Sequence, residues 1–337
     1  MNENKLYHAE KYIDLHLHLD GAVTPAIARR LADMQGIELP ADEELADMLS
    51  VGEDCRDLND FLRCFELPLS LLQTAEAISE CVYLTAEELR RQGLIYAEIR
   101  FAPQLHTDKG LTQEQAVKAA LAGLERTELP VNLILCCMRG ADNKAANLET
   151  VRLAGKYLVK DGGVTALDLA GAEGLFPTAD YADIFAEARA AGIPFTIHAG
   201  EADGAESVRR AIEFGAARIG HGVRICEDED LMALAAEKGI YLEMCPTSNR
   251  MTHAVEDMSA YPLKDFLARG LKVTLNTDDP AIENTTIAEE FDYVRKAFGI
   301  TSEEERTLLE NSVEAAFTSD ERKAMLMKEL LREGESL

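Results

Sequence analysis

The sequence predicts an α/β fold: a (β/α)8 barrel of the TIM type, with a helical insertion after the first strand and extra C-terminal helices. Short apolar runs alternate with helical segments eight times along the chain, as in a closed barrel of parallel strands. Several of these runs end in histidine or aspartate, and barrel enzymes place their reactive side chains at the carboxyl ends of strands. A chain of 337 residues, 47% of them hydrophobic, is large enough to form such a barrel.

The eight predicted strands are short, apolar and rich in β-branched residues, as are strands buried on both faces. They lie at Tyr12–His16, Leu94–Phe101, Val131–Met138, Val164–Leu169, Pro194–His198, Ala217–His221, Ile240–Cys245 and Lys272–Thr277. An open, doubly wound sheet could hold the same alternation and is the alternative fold.

The segments between these strands have helical periodicity and are rich in Ala, Glu and Leu. They include Thr112–Glu125, Leu148–Lys160, Ala179–Ala191, Glu206–Phe214, Asp228–Lys238 and Leu263–Arg269. Gly192, Gly239 and Gly270 follow three of the helices, where glycine commonly ends a helix.

The longest gap between predicted strands runs from Leu19 to Gly93, and we interpret it as an insertion on the rim of the barrel. It contains helix-like segments at Thr24–Met34, Ala41–Met48, Leu58–Leu69 and Thr74–Arg91. The segment from Thr301 to Leu337 is charged and helical, which predicts helices packed outside the barrel. No linker, repeat or low-complexity tract divides the chain, so residues 1–337 are expected to form one domain.

The chain is strongly acidic, with 34 Lys and Arg against 61 Asp and Glu and a net charge of −27. This charge repels nucleic acid and anionic membrane surfaces, so neither is expected as a partner. A small, uncharged substrate is compatible with it. Nothing in the sequence specifies an oligomeric state, and a monomer is compatible with it.

The seven cysteines include an adjacent pair and several that lie in apolar runs, which is typical of reduced, buried thiols. No Cys-x-x-Cys motif is present, so a thiolate zinc cluster is not predicted. The N-terminal residues are polar and unlike a signal peptide, and no run is long enough to span a membrane. We therefore expect a cytoplasmic protein.

Two histidines in a His-x-His pattern lie where the first predicted strand ends. Alternate residues of a strand point to the same side, so His16 and His18 face together while Leu17 faces away. With a third histidine and a carboxylate from other strands, they would form a ligand set that suits Zn²⁺ and leaves one position for water. The sequence therefore predicts a hydrolytic metalloenzyme, and the further residues at predicted strand ends are His198, His221, Asp278 and Asp279.

Each of these motifs also has a simpler explanation. A His-x-His pair can be packed or exposed, a lone histidine at a strand end is more often structural, and Asp-Asp-Pro favours a turn. A single metal site explains all of them together, which is the stronger hypothesis.

Six segments, taken in order, resemble the adenosine deaminase family of the amidohydrolase superfamily. They are His16–Ala22, Asp168–Gly171, His198–Glu201, Ile219–Gly222, Cys245–Asn249 and Leu275–Pro280. The similarity extends from about Tyr12 to Glu290 in the family's order and approximate spacing. It implies the same barrel fold and a zinc-dependent hydrolytic deamination of an adenine compound.

The resemblance implies that four residues bind one Zn²⁺ per chain: His16, His18, His198 and Asp278. The ion would lower the pKa of its water toward ~7 and so supply hydroxide near neutral pH.

Three catalytic residues are implied in the same way. Glu201 would be a protonated acid that donates to N1 of the purine, which makes C6 electrophilic. His221 would stand beside the water as base and electrostatic partner. Asp279 would accept a hydrogen bond from the nucleophile and contact N7.

The resemblance also implies contacts with the rest of the substrate. Asp20 would bind a ribose hydroxyl, the backbone N–H of Gly171 would meet N3, and His18 would contact the substrate as well as the metal. Phe61, Leu62 and Phe65, spaced as one helical face, would form an apolar lid.

Two comparisons within the zinc hydrolases narrow the prediction. Superfamily members with two metals commonly have a lysine at the end of the fourth strand, and Leu167–Gly171 has none, which favours one metal. The other zinc deaminase design needs Pro-Cys-x-x-Cys, which Cys245-Pro246 does not supply.

At Ala172 many family members have an acidic residue, which leaves the local purine contacts less defined.

Other functions stay open at this stage. Relatives that act on free adenine tend to have Glu at the position of Asp20, so the sequence favours adenosine and 2′-deoxyadenosine over adenine, while modified adenine nucleosides remain possible. AMP is disfavoured because no basic cluster lies near the motifs to bind phosphate. An inactive purine-binding scaffold is the alternative from another class. His8, His106 and His253 lie outside the motifs, and we expect substitutions there to matter far less than substitutions within the motifs.

Overall fold

Eight parallel strands lie at the centre of the molecule in the computed structural model, which describes residues 10–52, 55, 61 and 63–334. In chain order they are β1 (Tyr12–His18), β2 (Leu94–Phe101), β3 (Val131–Met138), β4 (Val164–Ala170), β5 (Thr196–Ala199), β6 (Arg218–His221), β7 (Tyr241–Met244) and β8 (Lys272–Leu275). All eight predicted strands are present, with bounds that differ by at most two residues.

The strands pair in sequence order and close into a barrel. Parallel ladders join neighbouring strands in two series, β1-β2-β3-β4 and β5-β6-β7-β8. A bridge between Leu167 and Phe195 joins the two halves on one side, and one between Leu17 and Asp278 joins them on the other. At the second junction the Asp278 N–H donates to the His16 carbonyl at 2.7 Å. The predicted (β/α)8 barrel is confirmed, and the open-sheet alternative is wrong.

Helices surround this barrel. Between β1 and β2 the insertion contains α1 (Pro25–Gln35), α2 (Asp42–Leu49), α3 (Glu66–Leu71) and α4 (Ala75–Arg91). The connections that follow contain α5 (Gln113–Leu124), α6 (Lys144–Tyr157), α7 (Ala182–Ala190), α8 (Ala205–Phe214), α9 (Glu229–Lys238), α10 (Pro246–Met251) and α11 (Leu263–Ala268). After β8 come α12 (Ile287–Phe298), α13 (Ser302–Ala315) and α14 (Asp320–Gly334). Short 3-10 helices occur at Pro103–His106, Thr178–Tyr181, Val223–Glu227 and Met258–Ala260.

Local sequence accounts for several helix ends. Thr112 and Gln115 form a reciprocal capping box at the start of α5, because each side chain bonds the other residue's backbone N–H. The three glycines that were predicted to end helices, Gly192, Gly239 and Gly270, have φ values of 68°, 65° and 78°. The predicted helix Leu58–Leu69 lies partly outside the described residues, and α3 begins only at Glu66.

The barrel interior is charged as well as apolar. Arg100 and Arg218 are fully buried, and their guanidinium groups contact the buried carboxylates of Glu98, Asp168 and Glu243. Charges are rarely buried without partners. Here the five side chains form one continuous chain of ion pairs across the barrel axis.

The C-terminal helices do more than cover the outside of the barrel. The connection between α13 and α14 reaches the barrel interior: the Arg218 guanidinium lies 3.9 Å from the centre of the Phe317 ring and donates to the Ala315 carbonyl at 3.1 Å. The Phe317 N–H donates to Glu98 at 2.5 Å. The C-terminal segment is therefore part of the charged interior.

All seven cysteines lie within the described residues and are thiols outside any disulfide, as the sequence predicted, although Cys226 is exposed and Cys55 only half-buried. Among the described helices, none combines the length and the apolar character that crossing a membrane requires.

Glu290 on α12 is a buried acid with no cationic partner in the part of the chain that the structure describes. Its carboxylate accepts hydrogen bonds from the Thr247 N–H at 3.2 Å and the Thr285 hydroxyl at 2.8 Å. Burial raises the pKa of Glu290 from 4.5 to about 7. Because the folded-state pKa is raised, the folded protein loses stability relative to the unfolded chain as pH rises from about 4.5 to about 7.

We predict that Glu290→Gln removes this pH dependence, because its amide does not ionise: the amide oxygen can accept the Thr247 N–H, and the amide nitrogen can donate to the Thr285 hydroxyl oxygen. Relative to the parent protein, the variant should gain about 3 kcal/mol between pH 4.5 and 8. Urea unfolding at several pH values measures this gain, and Glu289→Gln, an exposed neighbour, is the control. Parallel pH profiles for the parent and Glu290→Gln would contradict the prediction.

Candidate active site

The carboxyl ends of four strands bring four histidines and an aspartate together. His16 and His18 lie at the end of β1, His198 on β5 and His221 at the end of β6, while Asp278 follows β8. Ring centroids of the histidines lie 4.5 to 5.6 Å apart where they are in contact. The structure therefore brings the predicted metal ligands to one point.

The donor atoms of this group face each other closely. His198 Nε2 lies 3.0 Å from His16 Nε2 and 3.3 Å from His18 Nε2. Asp278 Oδ1 lies 3.2 Å from His16 Nε2 and 3.4 Å from His18 Nε2. His221 belongs to the same cluster, because its donor atom lies within 4.8 Å of those of His16, His198 and Asp278.

The backbone turns sharply where β6 and the segment after β8 reach the site. His221 and Asp278 have φ values of 60° and 79°, in the left-handed region that residues other than glycine rarely adopt. Such strain is maintained only where the surrounding structure fixes it, and it is common at functional sites. Gly220 leaves room for the cluster, since a Cβ there would lie 3.0 Å from His16 Cε1.

Two buried carboxylates orient two of the histidines by contacting Nδ1, the ring nitrogen that faces away from the cluster. His16 Nδ1 lies 2.7 Å from Glu243 Oε2, and His198 Nδ1 lies 2.9 Å from Asp168 Oδ2. Arg100 donates to both carboxylates, at 2.9 and 3.0 Å. With Nδ1–H donated to a carboxylate, Nε2 of each ring presents its lone pair to the cluster.

The electrostatics of these imidazoles suit a cation. Burial lowers the pKa of His16 and, more strongly, that of His18, which keeps their lone pairs available. Burial also opposes the charged form of His198, but Asp168 outweighs it and raises the pKa of that ring. A divalent metal and a proton would compete for His198 Nε2, so metal binding would release the proton.

Asp278 and Asp279 are adjacent carboxyl groups with opposite behaviour. Burial opposes ionisation of Asp278, but His16 and the other histidines hold its pKa well below the usual range, and Ser248 Oγ donates to its Oδ2 at 2.7 Å. Burial and the negative charge of Asp278 raise the pKa of Asp279 well above its usual range. Its Oδ1 atom is buried and, within the described residues, has no hydrogen-bond partner, so it is available to a ligand.

Glu201 lies on the loop after β5 and faces His221. Glu201 Oε2 is 3.5 Å from His221 Nε2, and Oε1 is 3.2 Å from the Thr252 hydroxyl. On the far side of the ring, His221 Nδ1 contacts the Asn249 amide at 3.0 Å, and Tyr261 OH donates to that amide's oxygen at 2.9 Å. Glu201 is therefore close to the histidine cluster, as the sequence predicted.

The remaining predicted substrate residues lie on the segments that follow β1 and β4 and in the insertion. Asp20 is buried just after β1, and burial raises its pKa to about 6. Gly171 follows β4 with φ 99°. The rings of Phe61 and Phe65 have centroids 5.9 Å apart, and Phe61 packs with Ile282, close to Asp279 in sequence. Leu62 lies outside the described residues.

Sequence reasoning missed several residues that support the site. Glu243, Asp168 and Arg100 are charged residues inside buried strands, and a charge in a buried strand must find a partner. That signal could have identified them. Asp168, Ser248 and Asn249 lie in two of the segments that resemble the family, but the sequence alone indicates no role for them.

Comparison with known proteins agrees with this geometry. The profile of the adenosine deaminase family matches residues 12–333, nearly the whole chain. The chain belongs to the adenosine deaminase family. It is therefore a hydrolase of the kind that acts on C–N bonds of cyclic amidines.

The similarity to individual family members is extensive. The deaminase is 52% identical to an adenosine deaminase of Haemophilus ducreyi, over 94% of each chain. It is 38% identical to an adenosine deaminase of Enterococcus faecalis, over 98% of each chain. Among solved structures, an adenine deaminase from Arthrobacter aurescens superposes with a TM-score of 0.84 at 31% identity, covering 95% of this chain and 98% of that one.

We predict that Gly21→Ala lowers turnover by roughly 100-fold, because a Cβ at this position would lie 1.8 Å from Asp279 Oδ1 and displace that carboxyl group. The metal ligands are not displaced directly, so metal content should be unchanged. Gly155→Ala, whose Cβ would meet its nearest neighbour at 3.4 Å, is the matched control. Full activity of Gly21→Ala would show that the position of Asp279 is unimportant.

Proposed function

We propose that this deaminase binds one Zn²⁺ and hydrolyses adenosine and 2′-deoxyadenosine to inosine, 2′-deoxyinosine and ammonia. The 52% identity to an adenosine deaminase over 94% of the chain is the observation that carries the choice of substrate. The convergence of His16, His18, His198 and Asp278 at one point supports the metal site.

The donor set fits zinc. Zn²⁺ binds imidazole nitrogen at 2.0–2.1 Å, so its tetrahedral ligands lie roughly 3.3 to 3.4 Å from one another. The four donor–donor distances given above are 3.0, 3.2, 3.3 and 3.4 Å. Two Nε2 lone pairs 3.0 Å apart repel each other, so a metal ion or a proton must lie between His16 and His198.

His16, His18, His198 and Asp278 would hold the ion. When bound there, zinc supplies hydroxide near neutral pH by lowering the pKa of water toward ~7.

The side chains around the cluster transfer protons and form hydrogen bonds with the substrate and the nucleophile. Glu201 donates a proton to N1 of the purine, which makes C6 accept the nucleophile. His221, whose Nε2 faces both Glu201 and Asp278, takes the proton released by the attacking water and passes it to the C6 amino group, so that the C6–N6 bond breaks and ammonia leaves. Asp279, with a buried oxygen free of partners among the described residues, accepts a hydrogen bond from the nucleophile and contacts N7.

Substrate orientation depends on the segments that follow β1 and β4 and on the insertion. The Gly171 N–H meets N3, Asp20 binds a ribose hydroxyl, and Phe61 and Phe65 cover the purine. Leu62 would complete this apolar cover. Enclosure of this kind excludes water and strengthens the electrostatic interactions inside the site.

Adenine is the second candidate substrate, because the superposed Arthrobacter aurescens protein is an adenine deaminase. Identity to that protein is 31%, against 52% to the Haemophilus ducreyi adenosine deaminase. Asp20, buried at the end of β1, provides a hydrogen-bond acceptor that a substrate without ribose would leave unused. Both observations favour the nucleoside.

Ammonia release from adenosine, 2′-deoxyadenosine, N6-methyladenosine, adenine and AMP tests the assignment. We expect kcat/KM to be highest for the two unmodified nucleosides, and Asp20→Asn to lower it roughly 10- to 100-fold for them but not for adenine, since only nucleosides contact this side chain. A preference of the parent protein for adenine would contradict the nucleoside assignment.

We predict that Glu201→Gln lowers kcat by a factor of about 10² to 10⁴, the usual contribution of a general acid, because an amide cannot donate the proton. Metal content and thermal stability should stay close to those of the parent, since Glu201 contacts no proposed ligand atom. Glu206→Gln, an exposed neighbour on α8, is the control. If Glu201→Gln kept parental turnover, another residue would have to supply the proton.

A further inference from the structure

Glu173 accepts an unusual number of hydrogen bonds for one side chain. It is 97% buried, and its two oxygens accept the backbone N–H groups of residues 200–203 at 2.7, 3.0, 2.7 and 3.1 Å. The Ser207 hydroxyl at the start of α8 lies 2.5 Å from Oε1. The loop after β5 therefore wraps around this carboxylate.

The described residues place no cation within ion-pair distance of Glu173. Its hydrogen-bond donors are backbone N–H groups and the Ser207 hydroxyl, and the Arg139 guanidinium acts on it from a greater distance. Successive N–H groups that point inward form a nest that binds anions, and here the anion belongs to the chain itself. Gly200 makes the bend possible: its φ is 73°, and a Cβ there would lie 2.5 Å from Val208 Cγ2. The loop conformation and the position of Glu173 are thus fixed together.

This loop carries Glu201, the proposed proton donor. The Glu201 N–H donates to Glu173 at 3.0 Å, and its carbonyl accepts from Arg224 Nε at 3.0 Å. Only the side chain is left to adjust, and it reaches Thr252 and His221. Glu173 therefore fixes the position of the backbone from which the Glu201 side chain extends.

Glu173 also lies two residues after Gly171, whose N–H is the proposed contact for purine N3. The short segment that follows β4 therefore affects two ring nitrogens of the purine, N3 and N1. It would contact N3 directly and, through the loop, set the position of the acid that protonates N1.

We propose that Glu173 is a positioning residue that aligns Glu201 with N1 of a purine bound against Gly171. The inference rests on the proposed role of Glu201 as proton donor. It assigns Glu173 to the reaction itself, in addition to the stability of the fold, because the proton transfer is sensitive to displacement of the loop.

The test substitution is Glu173→Gln, which keeps the size of the side chain. A glutamine has one acceptor oxygen, so its amide nitrogen must face some of the N–H groups that now bond the carboxylate, and the loop must shift. We expect kcat to fall on the order of 10- to 100-fold with KM changed by less than about 3-fold, because misplacing a reacting group by about 1 Å has this effect. Metal content should be unchanged.

A double-mutant cycle with Glu201→Gln separates positioning from a general loss of structure. If Glu173 acts through Glu201, adding Glu173→Gln to Glu201→Gln should lower kcat by less than about 2-fold. Ser207→Ala, which removes one donor to the carboxylate, should give a smaller loss with the same dependence on Glu201 and serves if Glu173→Gln does not fold. Glu80→Gln, a buried carboxylate paired with Arg30 and Arg126 in the insertion, is the matched control.

Parental kcat in Glu173→Gln, or an equally large loss with and without the Glu201 carboxyl, would overturn the inference. If Ser207→Ala is used instead, a loss that persists in full in the Glu201→Gln background has the same consequence. Failure of the proposed function is a separate result, since it would appear as parental turnover in the single variant Glu201→Gln.

Discussion

The site depends on two carboxylates buried inside the barrel, each of which holds one histidine in position. Glu243 orients His16 and Asp168 orients His198, and Arg100 contacts both carboxylates. Burying an isolated carboxylate is costly, so the arrangement requires the guanidinium as much as the imidazoles. Burial opposes ionisation of Glu243, but Arg218 and Arg100 hold its pKa well below the usual range. These contacts fix β1 and β5 relative to each other. The Nε2 atoms of His16 on β1 and His198 on β5 lie 3.0 Å apart.

Negative charge dominates the protein at two levels. The whole chain carries a net charge of −27, and Asp20, Asp278, Asp279 and Glu283 lie buried around the site. A divalent cation compensates this local charge, whereas a substrate phosphate would add to it. An uncharged nucleoside is therefore the substrate that suits both the surface and the pocket. Glu173 shows a different solution, because four backbone N–H groups and one hydroxyl donate to its carboxylate.

The sequence was informative where the signal is local. Apolar runs of four to eight residues located the strands, and the positions of His16, His18, His198 and Asp278 at strand ends located the centre of the site. Partners that meet only after the barrel closes could not be predicted in this way. His16 and Glu243 are 227 positions apart, and their contact depends on strand order and register. Glu173 was harder still, since its partners are backbone groups of a loop, which have no sequence signature.

The central claim is that three imidazoles and one carboxylate from three different parts of the barrel hold a single zinc ion. Anomalous diffraction from crystals of the purified protein, collected on both sides of the zinc absorption edge, tests this most directly. The account predicts one zinc peak per chain, within bonding distance of Nε2 of His16, His18 and His198 and of a carboxylate oxygen of Asp278. A protein that deaminates adenosine at full rate with no peak at that position, or with two metal ions there, would contradict it.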